Sequence, residues 1–143
     1  MRMVSDSERR ARFARRHALA PASRAATVED ATRALTVLHA TEPATVYLSL
    51  FARVDGLEIA DVDRALFTDR TLVKQLAMRR TLFVFPRDLL PAVLPSASAR
   101  VASTERNRMA KDLVLAGVTH DGNAWLDRAR SEVLAALANH RTG

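Results

Sequence analysis

The residues with the clearest chemical potential in this sequence lie together at His39, Thr41 and Glu42. An imidazole can exchange a proton near neutral pH, a hydroxyl can hold a water molecule, and a carboxylate can stabilise developing positive charge. This combination suits a hydrolytic site. Two other interpretations stay open: a corner that contacts DNA, and a polar helix end. At a helix end, His39 would interact with free backbone carbonyls, and Thr41 and Glu42 would lie in a loop or cap the next helix.

The helix expected to lead into this cluster begins near Thr27, which can act as an N-cap. The acidic residues that follow suit the positive end of the helix dipole. The apolar residues recur on one helical face: Val28, Ala31, Leu35 and Leu38. The pattern therefore predicts a helix that continues to His39 and places the polar cluster at its end.

Further helices are predicted on both sides of this one. Residues 5–20 favour a helix that stops before Pro21, and its crowded arginines form either a solvated face or a face that contacts phosphates. Residues 45–53 are apolar nearly all round and are expected to be buried. Residues 58–70 predict a third helix, with one apolar stripe formed by Ile59, Val62 and Leu66.

The hydrophobic period changes after Thr71. Residues 72–86 alternate with a period near two and are rich in Val and Phe, which predicts a β-hairpin that reverses at Met78–Arg80 and stops at Pro86. From Asp88 onward the pattern is helical again. The last helix is expected to bury an apolar side made of Trp125 or Leu126, Ala129, Val133 and Leu137.

The predicted fold is mainly α with a small β-hairpin, an α+β class. The order helix, helix, helix, strand, strand is that of a winged helix, in which the third helix enters the DNA major groove and the hairpin lies beside the backbone. We expect a winged-helix-like domain over residues 1–86 and a helical segment over residues 87–143.

Composition favours a polyanionic partner. The chain has 143 residues, of which 48% are hydrophobic, and a formal net charge of +6. It contains no cysteine and its four histidines are scattered, so we predict no metal site and no cofactor. It shows no membrane-length apolar run and no signal core, which predicts a cytoplasmic protein without a membrane partner.

Basic residues near the predicted third helix and hairpin are candidates for neutralising phosphates of double-stranded DNA. They are Arg64, Arg70, Lys74, Arg79 and Arg80. As an alternative, Arg79 or Arg80 forms an ion pair with Asp88. The aromatic residues are expected to lie in the core rather than to stack on bases. They are Tyr47, Phe51, Phe67, Phe83, Phe85 and Trp125.

Three segments resemble the N-terminal part of a bacterial winged-helix DNA-binding family related to the AlkZ/YcaQ-type DNA glycosylases. They are "VLHATEPATVYLSLFARVDGL", "DVDRALFTDRTLVKQLAMRRTLFVFP" and "WLDRARSEVLAAL". Those glycosylases act in DNA repair: they remove alkylated bases and unhook interstrand crosslinks. The resemblance extends from about Arg15 onward and implies that the partner is double-stranded DNA.

Two features depart from the pattern of that family. The active glycosylases carry a Gln-x-Gln or Gln-x-Asp motif that holds the attacking water, whereas His39 and Thr41 stand at the two polar positions here. Full-length relatives are also longer and contain several winged-helix modules. The closing "LANHRTG" resembles the first helix of a next module, which implies a fragment whose C-terminal modules are missing.

Three hypotheses of function follow. The first is a winged-helix protein that binds duplex DNA largely without sequence specificity and is not an enzyme. The alternative is a monofunctional DNA glycosylase that acts on alkylated or crosslinked bases, with His39 and Thr41 as its catalytic residues. The third is a truncated remnant, or an interaction module without DNA, that uses helices within residues 88–139 as a partner surface.

Overall fold

The computed structural model describes residues 3–140, except for the side chain of His140. The end of the "LANHRTG" segment, from Arg141 onward, lies outside the described residues. The chain divides into two compact units, one up to Ser98 and one from Ala99 onward. The first unit contains α1 (Asp6–Arg16), α2 (Val28–Leu35), β1 (Leu38–His39), α3 (Pro43–Phe51), α4 (Ile59–Asp63), β2 (Leu72–Leu76), β3 (Leu82–Pro86) and α5 (Leu90–Val93). The second contains α6 (Ala99–Leu115) and α7 (Gly122–His140).

Helix α2 begins as predicted and ends earlier. The side chain of Thr27 accepts a hydrogen bond from the Asp30 backbone N–H at 3.1 Å, so the N-cap is confirmed. The expected continuation to His39 is wrong, because the helix ends at Leu35 and Thr36 has a φ of 70°. A left-handed residue cannot continue a right-handed helix. The chain is thereby free to enter β1, where pairing with β3 satisfies its backbone groups.

The sheet is antiparallel, with the strand order β1-β3-β2. In its register Leu38 and Lys74 both lie opposite Val84, and His39 and Gln75 both lie opposite Phe83. The predicted hairpin and its reversal at Met78–Arg80 are confirmed. The structure therefore confirms a mainly α protein of the α+β class with a small hairpin, and it adds β1 as a third strand.

The core of the first unit lies between the helices and the inner face of the sheet. Its fully buried side chains include Val46, Leu50, Val62, Leu72 and Val84. The prediction that residues 45–53 are buried nearly all round is wrong, since Leu48 on α3 is 68% exposed. A helix this short packs only one stripe against the core.

The aromatic residues are less buried than expected. Phe85 is buried, and Tyr47, Phe83 and Trp125 are half-buried. The predicted core placement is wrong for Phe51 and Phe67, and also for the aliphatic Ile59, all of which are exposed. Helix α4 and the wide helical turn that continues it over Arg64–Thr68 therefore keep an apolar surface open to solvent.

A hydrogen bond joins α3 to α4. The Tyr47 hydroxyl donates to Asp63 Oδ1 at 2.6 Å. This hydrogen bond, together with partial burial and the negative charge of Asp63, raises the pKa of Tyr47 because each favours the neutral phenol. The contact ties α3 to α4.

The second unit is a pair of packed helices. At its tightest point a Cβ added to Gly122 would lie 2.1 Å from the carbonyl oxygen of Ala110, so only glycine permits this approach. The Arg106 guanidinium and Asp127 carboxylate pair across the two helices at 3.0 Å. The predicted burial of Val133 and Leu137 is wrong, because more than half of each side chain is exposed.

Candidate nucleic-acid interface

His39 and Thr41 are exposed on the outer face of the sheet, the face that also carries Phe83 and the buried Phe85. Leu38 and Ala40 are only 2% and 3% exposed, whereas His39 and Thr41 are open to solvent. The Ala40 N–H donates to the Leu82 carbonyl at 2.9 Å, which extends the pairing of β1 with β3 by one residue. Side chains alternate between the two faces of a strand, so the two polar residues share a face. The sequence predicted these residues at a helix end, and that location is wrong.

The neighbour of His39 across the strands is Phe83. Their ring centroids are 5.4 Å apart and the rings are nearly perpendicular, at 84°, which is an edge-to-face contact. The same row continues on β2 with Gln75, which lies opposite Phe83. We call His39, Phe83 and Gln75 the outer row of the sheet. It is an aromatic side chain flanked by two polar ones.

The Gln75 end of the outer row is held by hydrogen bonds. Gln75 Nε2 donates to Ser98 Oγ at 3.2 Å, and Ser98 Oγ donates to the Leu76 carbonyl at 2.7 Å. Sequence reasoning did not single out Gln75 as a site residue. The register of the hairpin would have placed Gln75 beside Phe83, but nothing in the local sequence predicts that His39 joins the same row.

Glu42 begins α3 rather than joining the outer row. It occupies the N-cap position directly before Pro43, and its backbone carbonyl accepts a hydrogen bond from the Thr45 N–H at 3.1 Å. Glu42 therefore occupies the cap position, but its side chain accepts no capping hydrogen bond. The pair that remains for chemistry on the exposed face is His39 and Thr41.

The five predicted phosphate-binding residues lie in four places. Arg64 lies in the turn that continues α4, 3.6 Å from Asp61, and Arg70 lies between that turn and β2 with a φ of 52°. The Lys74 ammonium on β2 lies 5.6 Å from the centroid of the Phe67 ring, a cation–π contact. The last two residues are exposed in the hairpin turn, with φ of 56° for Arg79 and 57° for Arg80.

Asp88 has a different partner from the one expected. Its carboxylate accepts a hydrogen bond from Arg33 Nη1 at 2.7 Å, which joins α2 to the segment after β3. That hydrogen bond and the adjacent positive charge lower the pKa of Asp88 and raise that of Arg33. The alternative in which Arg79 or Arg80 pairs with Asp88 is therefore wrong.

Residues 3–140 contain neither a metal-binding cluster nor a membrane-spanning helix. No group of three or more His, Asp or Glu side chains in that range could hold a metal ion. No helix in the same range is long and apolar enough to cross a membrane.

Comparison with known proteins identifies the family. A family model described as DNA glycosylase AlkZ-like matches residues 32–142. The chain belongs to the AlkZ-like DNA glycosylase family, and its function is therefore related to DNA. The match includes the outer row and Thr41, whereas α1 lies outside it. No curated protein and no solved structure matches the chain significantly.

Proposed function

We propose that this protein is a winged-helix DNA glycosylase module that binds duplex DNA and excises alkylated or crosslinked bases. In this proposal His39 and Thr41 hold the attacking water. The observation that carries it is the exposure of both side chains on one face of the sheet, inside the region that matches the glycosylase family.

The winged-helix assignment is supported by element order. The chain runs α2, β1, α3, α4 and then the β2–β3 hairpin, and the sheet order is β1-β3-β2. In the proposed complex α4 lies in the major groove and the hairpin lies beside the backbone. The five basic residues then contact phosphates: Arg64, Arg70, Lys74, Arg79 and Arg80. Such contacts position the protein and carry no sequence information, so binding is largely non-specific.

The chemistry follows from the groups on the exposed face. As the bond from the sugar carbon to the base nitrogen breaks, its electron pair leaves with the base and positive charge develops on the sugar. The water then forms a new bond to the same sugar carbon. The Thr41 hydroxyl orients that water, and the His39 imidazole accepts the proton that it releases. The target nucleotide must leave the base stack, and the half-buried ring of Phe83 beside His39 offers an apolar surface for it.

The same two residues predict slow excision. A glutamine amide offers a donor and an acceptor on a flexible side chain, whereas a neutral imidazole offers one of each in a rigid ring and Thr41 reaches less far. Poorer orientation of the water can lower the rate by orders of magnitude. His39 and Thr41 stand where active glycosylases carry the Gln-x-Gln motif. This difference favours a second candidate function, which is duplex binding by the same surface without excision.

For the second unit, we propose that it leads into a further winged-helix module. The exposed apolar side of α7, which includes Val133 and Leu137, supports this assignment because such a surface normally packs against another element. In this arrangement the first winged helix covers residues 1–86, and segment 87–98 links it to the helices that follow.

The test is incubation with duplex DNA that carries one 7-methylguanine, followed by alkaline cleavage at abasic sites. We expect slow cleavage by the wild type, none by His39→Ala, and wild-type cleavage by His120→Ala, which removes an exposed histidine from the second unit. The double variant His39→Gln/Thr41→Gln should excise faster, because both side chains face solvent and their replacement leaves the core unchanged.

Each contrary outcome selects a different function. If the wild type and the double glutamine variant bind the duplex and neither excises the base, the protein is a binder and the glycosylase assignment fails. If the wild type does not bind duplex DNA, both candidate functions fail and an interaction module without DNA takes their place.

A further inference from the structure

Helix α1 is a strongly basic surface that the family match does not include. The match begins at residue 32, and α1 spans Asp6–Arg16. Five arginines lie within residues 9–16, and no residue of α1 is buried. Packing therefore does not explain why this helix carries so much charge.

The end of α1 is anchored to the first unit. Ala18, directly after the helix, is buried. Arg53, which follows α3, donates from Nε to the His17 carbonyl at 2.9 Å. Between α1 and the end of α2 the structure forms a groove of about 490 Å³, whose basic side consists of Arg9, Arg12 and Arg16. These arginines consequently have a fixed place beside α2 and are not a free tail.

The groove arginines lie on one side of α1. Positions 9, 12 and 16 fall on one helical face, and Arg12 and Arg16 are about 6 Å apart along the helix axis. Two guanidinium groups at that spacing can contact neighbouring phosphates of one strand. Arg12 is partly neutralised by Glu8 at 2.7 Å. Among the described residues, Arg16 has no acidic partner.

A pair of rings lies beside the arginines. The ring centroids of Phe13 and His17 are 4.1 Å apart, and Phe13 is 58% exposed although it lines the groove. Proteins that hold a nucleic-acid strand combine a basic groove with aromatic surfaces for bases or sugars. The groove offers both.

The groove is also close to the outer row of the sheet. Thr36 forms part of the groove, and the chain runs from it directly into β1. His39 is three positions after Thr36, so their Cα atoms are at most about 11 Å apart. A strand whose base reaches His39 therefore passes within reach of the α1 arginines.

We propose that Arg12 and Arg16 of α1 bind the phosphates of the DNA strand whose base is presented to His39, as a contact separate from the hairpin. This inference rests on the proposed function. A membrane surface is the other polyanion that a basic helix can bind, but Phe13 is the one large apolar side chain on α1, which is too little to insert into lipid.

The test compares two charge-matched double variants of the full chain. Arg12→Gln/Arg16→Gln removes groove arginines, and Arg10→Gln/Arg15→Gln removes two that do not line the groove. Glutamine is a good helix former, so both variants should keep α1. Duplex affinity is measured by fluorescence anisotropy over a salt series. The groove variant should lower the slope of log K against log salt by up to about 1.8, and the control by much less.

A second substrate identifies the strand. Neutral methylphosphonates replace the phosphates beside a 7-methylguanine, either on the strand that carries it or on the complementary strand. Substitution of the modified strand should weaken binding by the wild type and by Arg10→Gln/Arg15→Gln. It should have little effect on Arg12→Gln/Arg16→Gln, which has already lost the contact. Equal sensitivity of all three proteins would overturn the assignment to that strand.

The remaining outcomes separate this inference from the proposed function. If the wild type binds duplex DNA and the two double variants have equal slopes, the α1 contact is wrong while DNA binding stands. If the groove variant loses affinity only for anionic lipid vesicles, the α1 contact is likewise wrong. If the wild type does not bind duplex DNA, both the proposed function and the α1 contact are overturned.

Discussion

Replacing both hairpin arginines by glycine should relieve backbone strain and weaken DNA binding. Arg79 and Arg80 have φ of 56° and 57°, and the turn that holds them is closed by the Ala77 N–H donating to the Thr81 carbonyl at 3.1 Å. A left-handed conformation costs a residue other than glycine about 1–2 kcal/mol. Glycine gives back about 0.4–1 kcal/mol per site through the greater freedom of the unfolded chain. The free energy of unfolding of the glycine variant should therefore exceed that of the corresponding double glutamine variant, which loses the same guanidinium groups, by about 1–2 kcal/mol.

The effect on binding has the opposite sign. If each arginine neutralises one phosphate, the glycine variant should lower the slope of log K against log salt by about 1.8. Between about 50 and 200 mM salt, the wild type should then lose about tenfold more affinity than the variant. Affinity at low salt should fall alike for all duplex sequences, since phosphate contacts carry no base information.

The two effects are measured by urea denaturation and by fluorescence anisotropy on the same samples. Arg79→Gln/Arg80→Gln is the control, because it removes the charges and keeps side chains in the left-handed turn. It should reproduce the change in slope without the gain in stability. Equal stability of the glycine and glutamine variants would refute the argument from strain. An unchanged salt slope in both would refute the phosphate contacts.

Three further changes test the packing that holds the site. Tyr47→Phe should lower the free energy of unfolding by about 1 kcal/mol at pH 7. The hydrogen bond to Asp63 raises the pKa of Tyr47 in the folded state. The extra stability of the wild type over Tyr47→Phe is therefore full below the unfolded pKa of about 10 and disappears as pH rises through the folded pKa. A stability difference that grew with pH would contradict this. Arg33 lowers the pKa of Asp88, so the stability that this ion pair contributes is lost as pH falls through the folded pKa. Asp88→Asn should therefore show a smaller fall in the free energy of unfolding at acidic pH than the wild type. An equal fall in both proteins would contradict it. Gly122→Ala should destabilise the second unit by about 2 kcal/mol through overpacking, and an unchanged thermal transition by circular dichroism would contradict that reason.

Local signals in the sequence predicted the elements that depend on local chemistry. The Thr27 cap, the period-two alternation of residues 72–86 and the reversal at Met78–Arg80 are all read from neighbouring residues, and the structure has them. The strand β1 could not be predicted in this way. It is two residues long, and its only reason to form is pairing with Val84 and Phe83, more than 40 residues further along the chain.

The candidate site was likewise predictable only where it depends on local sequence. His39 and Thr41 are conspicuous by residue type, so the sequence alone singled them out. Their common face, and the presence of Phe83 beside His39, follow from the register of β1 against β3. Arg33 and Asp88, which form an ion pair, are also far apart in the sequence. The hairpin arginines lie nearer to Asp88 along the chain, so local sequence favoured them as its partners.

Buried and exposed side chains alternate along β1 and the residues that follow it. Substitutions at the exposed positions can therefore change the chemistry of the site without affecting the core. Leu38 and Ala40 maintain the core, while His39 and Thr41 take no part in it, so selection can exchange the reactive side chains without repacking the protein. A family with this arrangement can gain, lose or retune an activity by two substitutions on a constant scaffold. Insertion of a single residue before Leu38 has the opposite consequence, because it would turn the apolar positions outward and the polar ones inward. We therefore expect relatives with different activities to differ in residue type at positions 39 and 41 and to preserve the spacing between Thr36 and Pro43.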